Sequence, residues 1–341
     1  MKRKTWTTIL ALLMLCACTK TGLEQFAGFT KPANFPDPVY HFNTNPVSKA
    51  GFLLGRKLFY EPMLSRDNTI SCGSCHIQSA AFTHHGHDVS HGIDDKLGTR
   101  NSPAITNLAW GKSFFWDGGV FDLDLQPIVP ITNPVEMDET MPGVLSKLRA
   151  HPQYPSLFQA AFGSPEINTE RTMKALSQFM TMLVSANSKY DKVMRKEGAV
   201  FTEAETQGYA LFAQHCGTCH QEPLFTDESF RNNGIGASPL NDEGRYAVTL
   251  NETDRYKFKV PGLRNLKYTA PYMHDGRFLT VEAVVEHYAE HVKETPNLDP
   301  LLIKNGVPGL KLTKAEQQKI VAFLSTLNDE QFITDKRFAE Q

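Results

Sequence analysis

The string S-C-G-S-C-H occupies residues 71–76, and H-C-G-T-C-H returns at residues 215–220. Each contains C-x-x-C-H, the spacing by which c-type haem is attached. On one helical turn, residues i and i+3 share a face. Cys72 and Cys75 can therefore each add to one vinyl group of a haem edge, and so can Cys216 and Cys219. The histidine that follows, His76 or His220, then lies under the iron as its proximal ligand. A four-cysteine zinc site is the main rival. Zinc frameworks bring their cysteine pairs within about 20 residues and need no histidine after each pair. Here the pairs lie 144 residues apart and both carry the histidine. A thioredoxin-type redox pair would call for a βαβ context, which the sequence lacks. Two covalent haems on one chain is the reading that accounts for both strings.

The remaining cysteines agree with an exported chain. Of six in all, Cys16 and Cys18 lie at the end of an N-terminal leader. That leader has a basic start, Lys2-Arg3-Lys4, and an apolar stretch from Ile9 to Leu15. Seven residues fall far short of the roughly 20 that span a bilayer, so the segment reads as a signal peptide. It ends in Leu15-Cys16-Ala17-Cys18, which resembles a bacterial lipobox with Cys18 as the lipidated residue. The alternative is ordinary signal-peptidase cleavage with Cys18 incidental. Acyl chains on Cys18 would anchor a periplasmic body to a membrane face. No cysteine is then left for a structural disulfide, although export would permit one.

The 341 residues suffice for about two domains. Net charge is −2 with no long basic run, which excludes nucleic acid as a partner. Residues 19–48 are rich in Pro, Asn and Thr and read as a tether. No alternating apolar run argues for a sheet. Met173, Leu176, Met180 and Leu183 recur at helical spacing, and Thr202-x-x-Glu205 and Thr313-x-x-Glu316 are capping boxes that open further helices. Three blocks recur in one order. The C-x-x-C-H strings are each followed by Phe-Thr, at Phe82-Thr83 and Phe225-Thr226; Arg100-Asn101 is echoed by Arg264-Asn265; Trp116-Asp117-Gly118 is echoed by His274-Asp275-Gly276. The offsets are 144, 164 and 158 residues. The expected fold is all-α: two cytochrome c-like domains related by internal duplication, each with one covalent c-type haem. The expected boundaries are a signal peptide with lipobox at 1–18, the tether at 19–48, an N-terminal peroxidatic haem domain at 49–196 and a C-terminal electron-transfer haem domain at 197–341. A homodimer is compatible with the sequence.

Candidates for the sixth iron ligand stand near both motifs. The first has His84, His85, His87 and His91; the second has Met273, His274, His287, Tyr288 and His291. Spacing alone does not choose among them.

The stretches G-T-R-N-S-P at 98–103, F-W-D-G at 115–118, Q-P-I at 126–128, N-P-V-E-M at 133–137 and T-A-P-Y-M-H-D-G at 269–276 add to the two C-x-x-C-H strings. Together, from about Gly51 to Leu327, they resemble the bacterial di-haem cytochrome c peroxidase family, which includes MauG-like enzymes that oxidise a partner protein. The resemblance implies that the first haem is peroxidatic and that His91 is its displaceable distal histidine. It implies that Gln126 and Glu136 line the peroxide pocket, that Trp116 stands between the haems, and that Asn101 with the carbonyls of Thr269 and Pro271 binds Ca2+. A carboxylate suits such a pocket because heterolysis of H2O2 needs a group that takes a proton from one oxygen and returns it to the other. Tyr288 falls where the peroxidases place a methionine ligand; Met273 and the histidines remain the alternatives. A phenolate stabilises ferric iron, whereas a thioether raises the potential. The implied activity is reduction of H2O2 to water with electrons from a small donor protein, a cytochrome c or a cupredoxin. The rivals are a MauG-like oxidase and a non-catalytic di-haem electron carrier.

Overall fold

The computed structural model describes residues 26–341. The leader and the lipobox residue Cys18 lie outside the described residues. The chain is mostly helical; among the described residues the only ladders are two-residue pairs, Phe230–Arg231 with Phe258–Lys259 and Ile303–Lys304 with Val307–Pro308. No helix among them is long and apolar enough to cross a membrane.

Two helix pairs organise the body. Helix Lys49–Phe59 is capped by the Ser48 side chain and packs against helix Thr169–Thr181, capped by Asn168. Helix Glu203–His215 packs against Lys314–Leu324, and both open on the capping boxes read from the sequence. Each pair crosses at a glycine. A Cβ on Gly55 would stand 1.9 Å from the Ala175 carbonyl oxygen, and one on Gly208 would stand 1.9 Å from that of Lys319. Only a residue without a side chain lets the backbones approach so closely. The apolar faces these crossings bury form two separate cores, one around Leu58, Phe59 and Phe179, the other around Phe212, Phe225 and Phe323.

The packing divides the chain differently from the expected boundaries. Residues 26–48 are no tether: Phe35 is buried in a cluster with Ala109 and Trp110, joined by Phe29 and Phe42. The Trp110 indole donates to the Pro36 carbonyl at 2.9 Å. The first core reaches only to Leu183, whereas Tyr190 already belongs to the second. Phe332 and Phe338 at the C-terminus return to the first core, where Gln78 donates to the carbonyls of Phe332 and Asp335.

Asn107 and Asn265 share a local geometry that Asn101 does not. Both sit in the left-handed region (φ 58° and 66°) and open a single 3-10 turn, Leu108–Trp110 and Leu266–Tyr268. Asparagine tolerates this conformation better than most residues. Both donate their N–H to a leucine carbonyl just beyond the closing helices, Leu183 and Leu327. Seven residues after each asparagine comes a matching bridge, Phe114 with Val120 and Tyr272 with Phe278, around the Trp116 and His274 blocks.

A buried ion pair ties the segments together. Arg264 and Asp191 make two 2.8 Å bonds, with side chains 2% and 0% exposed.

Candidate functional site

Cys72–Cys75 is one helical turn, and Cys216 caps the C-terminal end of helix Glu203–His215. The two motifs open onto two cavities. Cys75 and His76 line the first; Cys216, Cys219 and His220 line the second. The cysteine pairs therefore serve separate sites, which removes the shared zinc centre. Burial pushes the Cys72 and Cys216 thiols up to about 12 and Cys75 up to about 11, against what a redox-active thiolate requires.

Both histidines are held the same way. His76 Nδ1 lies 2.8 Å from the Phe82 carbonyl, and His220 Nδ1 lies 3.0 Å from that of Phe225. Phe82 and Phe225 are fully buried with φ of 63° and 59°. That strained turn aims their carbonyls at the rings. A bond at Nδ1 fixes the tautomer and leaves Nε2 to bind metal, the usual outer-shell arrangement of a ligating histidine. Burial lowers the pKa of both rings, which keeps them neutral, as ligation requires. Paired thiols, an oriented imidazole and an adjoining cavity fit a covalent haem at each motif. The Phe-Thr repeat seen in the sequence is thus the orienting carbonyl, a role its spacing alone did not disclose.

In the first cavity, Gln126 and Glu136 share the wall with Cys75 and His76. Asn133 Nδ2 donates to Glu136 Oε1 at 2.8 Å, leaving Oε2 free of that bond. Burial raises the Glu136 pKa above 4.5, opposed by the Asn133 bond. His91 does not line either cavity. Its Nε2 is turned to Asp95 Oδ1 at 3.5 Å and its side chain is 32% exposed, although its carbonyl lies 3.5 Å from Cys75 Sγ. His84 and His87 stack on each other at 4.3 Å and His85 meets Ser79, all outside the two cavities.

Trp116 lines both cavities. Its Nε1 donates to the Asn101 carbonyl at 2.8 Å, and the Asn101 N–H donates to the His274 carbonyl at 2.7 Å. The Asn101 carboxamide nitrogen faces the carbonyls of His87 and Asp88, and no described residue donates to its Oδ1. Asn101, Thr269 and Pro271 all line the second cavity.

Tyr288, Met273 and His274 also line that cavity, whereas His287 and His291 do not. His287 is spent on the Asn233 carbonyl at 3.1 Å. Tyr288 sits in a π-helical turn, His287–His291, a distortion frequent at functional positions. Burial pushes its phenol up to about 12. Asn233 Nδ2 lies 3.4 Å from both Tyr288 Oη and Met273 Sδ. Nothing in the string R-N-N-G-I marks Asn233 in advance, since its role depends on contacts 40 and 55 residues away.

Fold and site together define a c-type haem protein with two cradles. The family model for di-haem cytochrome c peroxidase matches residues 49–199. The chain is 36% identical to the methylamine utilization protein MauG of Methylorubrum extorquens, over 86% of this chain and 83% of that one. It is likewise 36% identical to cytochrome c551 peroxidase of Nitrosomonas europaea, covering 82% and 80% of the two chains. A solved MauG-like protein associated with microbial copper homeostasis superposes with a TM-score of 0.82 at 32% identity, over 92% and 98% of the two chains. The protein belongs to the di-haem cytochrome c peroxidase family, and is an oxidoreductase of the peroxidase class.

Proposed function

We propose that the protein reduces H2O2 to two waters, taking two electrons from a small donor protein, a cytochrome c or a cupredoxin, and two protons. The observation that carries this reading is the buried Glu136 beside Gln126 in the cavity that His76 lines. The haems, when bound, supply the electron storage and the peroxide-binding iron. Gln126 orients peroxide. Glu136 Oε2, not engaged by Asn133, takes the proton from one peroxide oxygen and returns it to the departing oxygen. Trp116, in the wall of both cavities, lies on the electron route from the second haem to the first. His91 is the ligand that stands aside; its orientation toward Asp95 supports that displaced role.

The two halves are read as a duplication with one haem each, supported by the paired glycine crossings, the paired left-handed asparagines and the paired histidine–phenylalanine bonds. A Ca2+ ion is assigned to Asn101 Oδ1 and the carbonyls of Thr269 and Pro271, hard oxygen donors suited to it. Export and lipid anchoring through Cys18 rest on the leader sequence.

Tyr288 is assigned as the sixth ligand of the second haem. Replacing Tyr288 by Phe should replace that haem's ferric EPR signature by that of a different ligand set while leaving the first haem's signal in place; an unchanged spectrum rejects the ligand. The same residue favours a second reading, a MauG-like oxidase acting on a partner protein. Steady-state assays separate the two. Peroxide-dependent oxidation of a reduced cytochrome supports the peroxidase, and a covalent change in a partner protein without such turnover supports the oxidase.

A further inference from the structure

We infer that Asn233 is the positioning residue that tunes the second haem by donating to the ligand oxygen of Tyr288. This rests on the reading of Tyr288 as that haem's sixth ligand.

The orientation of the carboxamide is fixed by its surroundings. Asn233 Oδ1 accepts the Ile235 N–H at 3.3 Å, so Nδ2 must point the other way, into the cavity. There it meets two acceptors at 3.4 Å each, Tyr288 Oη and Met273 Sδ, and its two N–H groups can serve one apiece. For sulfur that separation is ordinary; for a neutral phenol oxygen it is long. A bond to a charged oxygen contracts to roughly 2.7–2.9 Å and about doubles in strength. The contact is therefore built to matter once the phenol has become a phenolate on iron.

The backbone holds this geometry in register. His287, the residue before Tyr288, bonds the Asn233 carbonyl through Nε2. Gly234 follows with φ of 66°, and a Cβ there would stand 2.5 Å from Val292 Cγ1. The donor loop and the π-helical turn are thus joined by a hydrogen bond and by close packing. Met273 is drawn to the same nitrogen, which keeps its thioether beside the phenol in the cavity wall.

The electronic consequence has a definite sign. An N–H donated to a phenolate draws charge away from the iron, weakens stabilisation of the ferric state and raises the potential. Removing the donor lowers it. Removing an outer-shell partner typically costs about 10–100-fold in metal affinity or activity, and the low end of that range, taken as a preference between ferric and ferrous iron, sets the scale expected here. A tenfold change in the ferric-to-ferrous ratio is about 59 mV for a one-electron couple.

The test uses the haem-loaded full chain and potentiometry with EPR, alongside Tyr288→Phe. Asn233→Leu should lower the second haem's midpoint potential by about tenfold in redox ratio and shift its ferric EPR signal, with the first haem unmoved. Asn233→Gln, which keeps a carboxamide donor, should stay closer to the parent potential than Leu does. Because leucine keeps the branched shape of asparagine, a merely structural role predicts instead that Asn233→Leu behaves like the parent protein and that the longer glutamine disturbs the site more. If both Asn233 variants leave potential and spectrum unchanged while Tyr288→Phe alters them, Asn233 has no tuning role and Tyr288 remains the ligand. If Tyr288→Phe itself changes nothing, the ligand reading falls and this inference falls with it.

Discussion

Glu136→Gln should lower kcat/KM for peroxide by about 10²–10⁴, the range that a positioned general acid–base contributes. Glutamine keeps the shape and can still accept a bond at its carbonyl oxygen, but it cannot carry the peroxide proton. Glu136 touches neither cysteine of the first motif in a hydrogen bond, so haem content should be unaffected. The pH profile adds a second readout. Burial raises the carboxyl above its ordinary value, with the Asn133 bond pulling the other way. The proton-accepting form is therefore lost as pH falls through a value above the usual glutamate range. The wild-type acid limb should sit there and disappear in the variant. Unchanged turnover would remove Glu136 from the chemistry.

Arg264→Ala should destabilise the fold by about 3–5 kcal/mol, because it strands the buried Asp191 carboxylate. Burial alone would raise the Asp191 pKa, yet the two bonds from Arg264, with those from Ser188 and Asn34, hold it below 3.8. A carboxyl depressed in the folded state contributes stability that is present above its unfolded pKa and lost as pH falls through the folded value. In the parent protein this contribution therefore fades below about pH 4. In the variant the balance tips toward burial, which favours the neutral acid, so its deficit should be largest near neutral pH and shrink on acidification. Denaturant titrations across pH measure this directly. Replacing both residues, by Arg264→Met with Asp191→Leu, should cost less than Arg264→Ala alone, since no orphan charge remains. Arg264 also lies 5.7 Å from the Phe225 ring, whose carbonyl orients His220. Loss of the arginine should therefore broaden the second haem's spectrum before it unfolds the protein. A deficit under about 1 kcal/mol would place the pair with ordinary surface bridges instead.

The sequence disclosed what is encoded locally. The attachment strings, the helix caps at Thr202 and Thr313 and the apolar face carrying Ile320 and Phe323 each depend on residues within a few positions of one another. The resemblance supplied Gln126, Glu136 and Trp116, which the fold brings to the cavity walls. What stayed hidden depends on distant partners. Prolines break any periodicity across residues 26–48, so Phe29, Phe35 and Phe42 look like isolated aromatics until Trp110 meets them. The C-terminal Phe338 returns to a core formed nearly 300 residues earlier, where Tyr60 donates to its carbonyl. Asn107 was concealed because the visible Arg-Asn pair at 100–101 matched Arg264-Asn265 by letters, whereas it is Asn107 that shares the left-handed turn of Asn265. Among the histidines, four crowd the first motif by sequence, yet none of His84, His85, His87 and His91 lines either of the two motif cavities.

Both cradles should hold their haem covalently, and intact-protein mass spectrometry after expression with cytochrome-maturation machinery tests this. The prediction is a polypeptide heavier by two haems, falling to one when Cys72 and Cys75 are both changed to serine and to the other one alone when Cys216 and Cys219 are. A mass matching the bare polypeptide, with the colour released by acid–acetone, would contradict it.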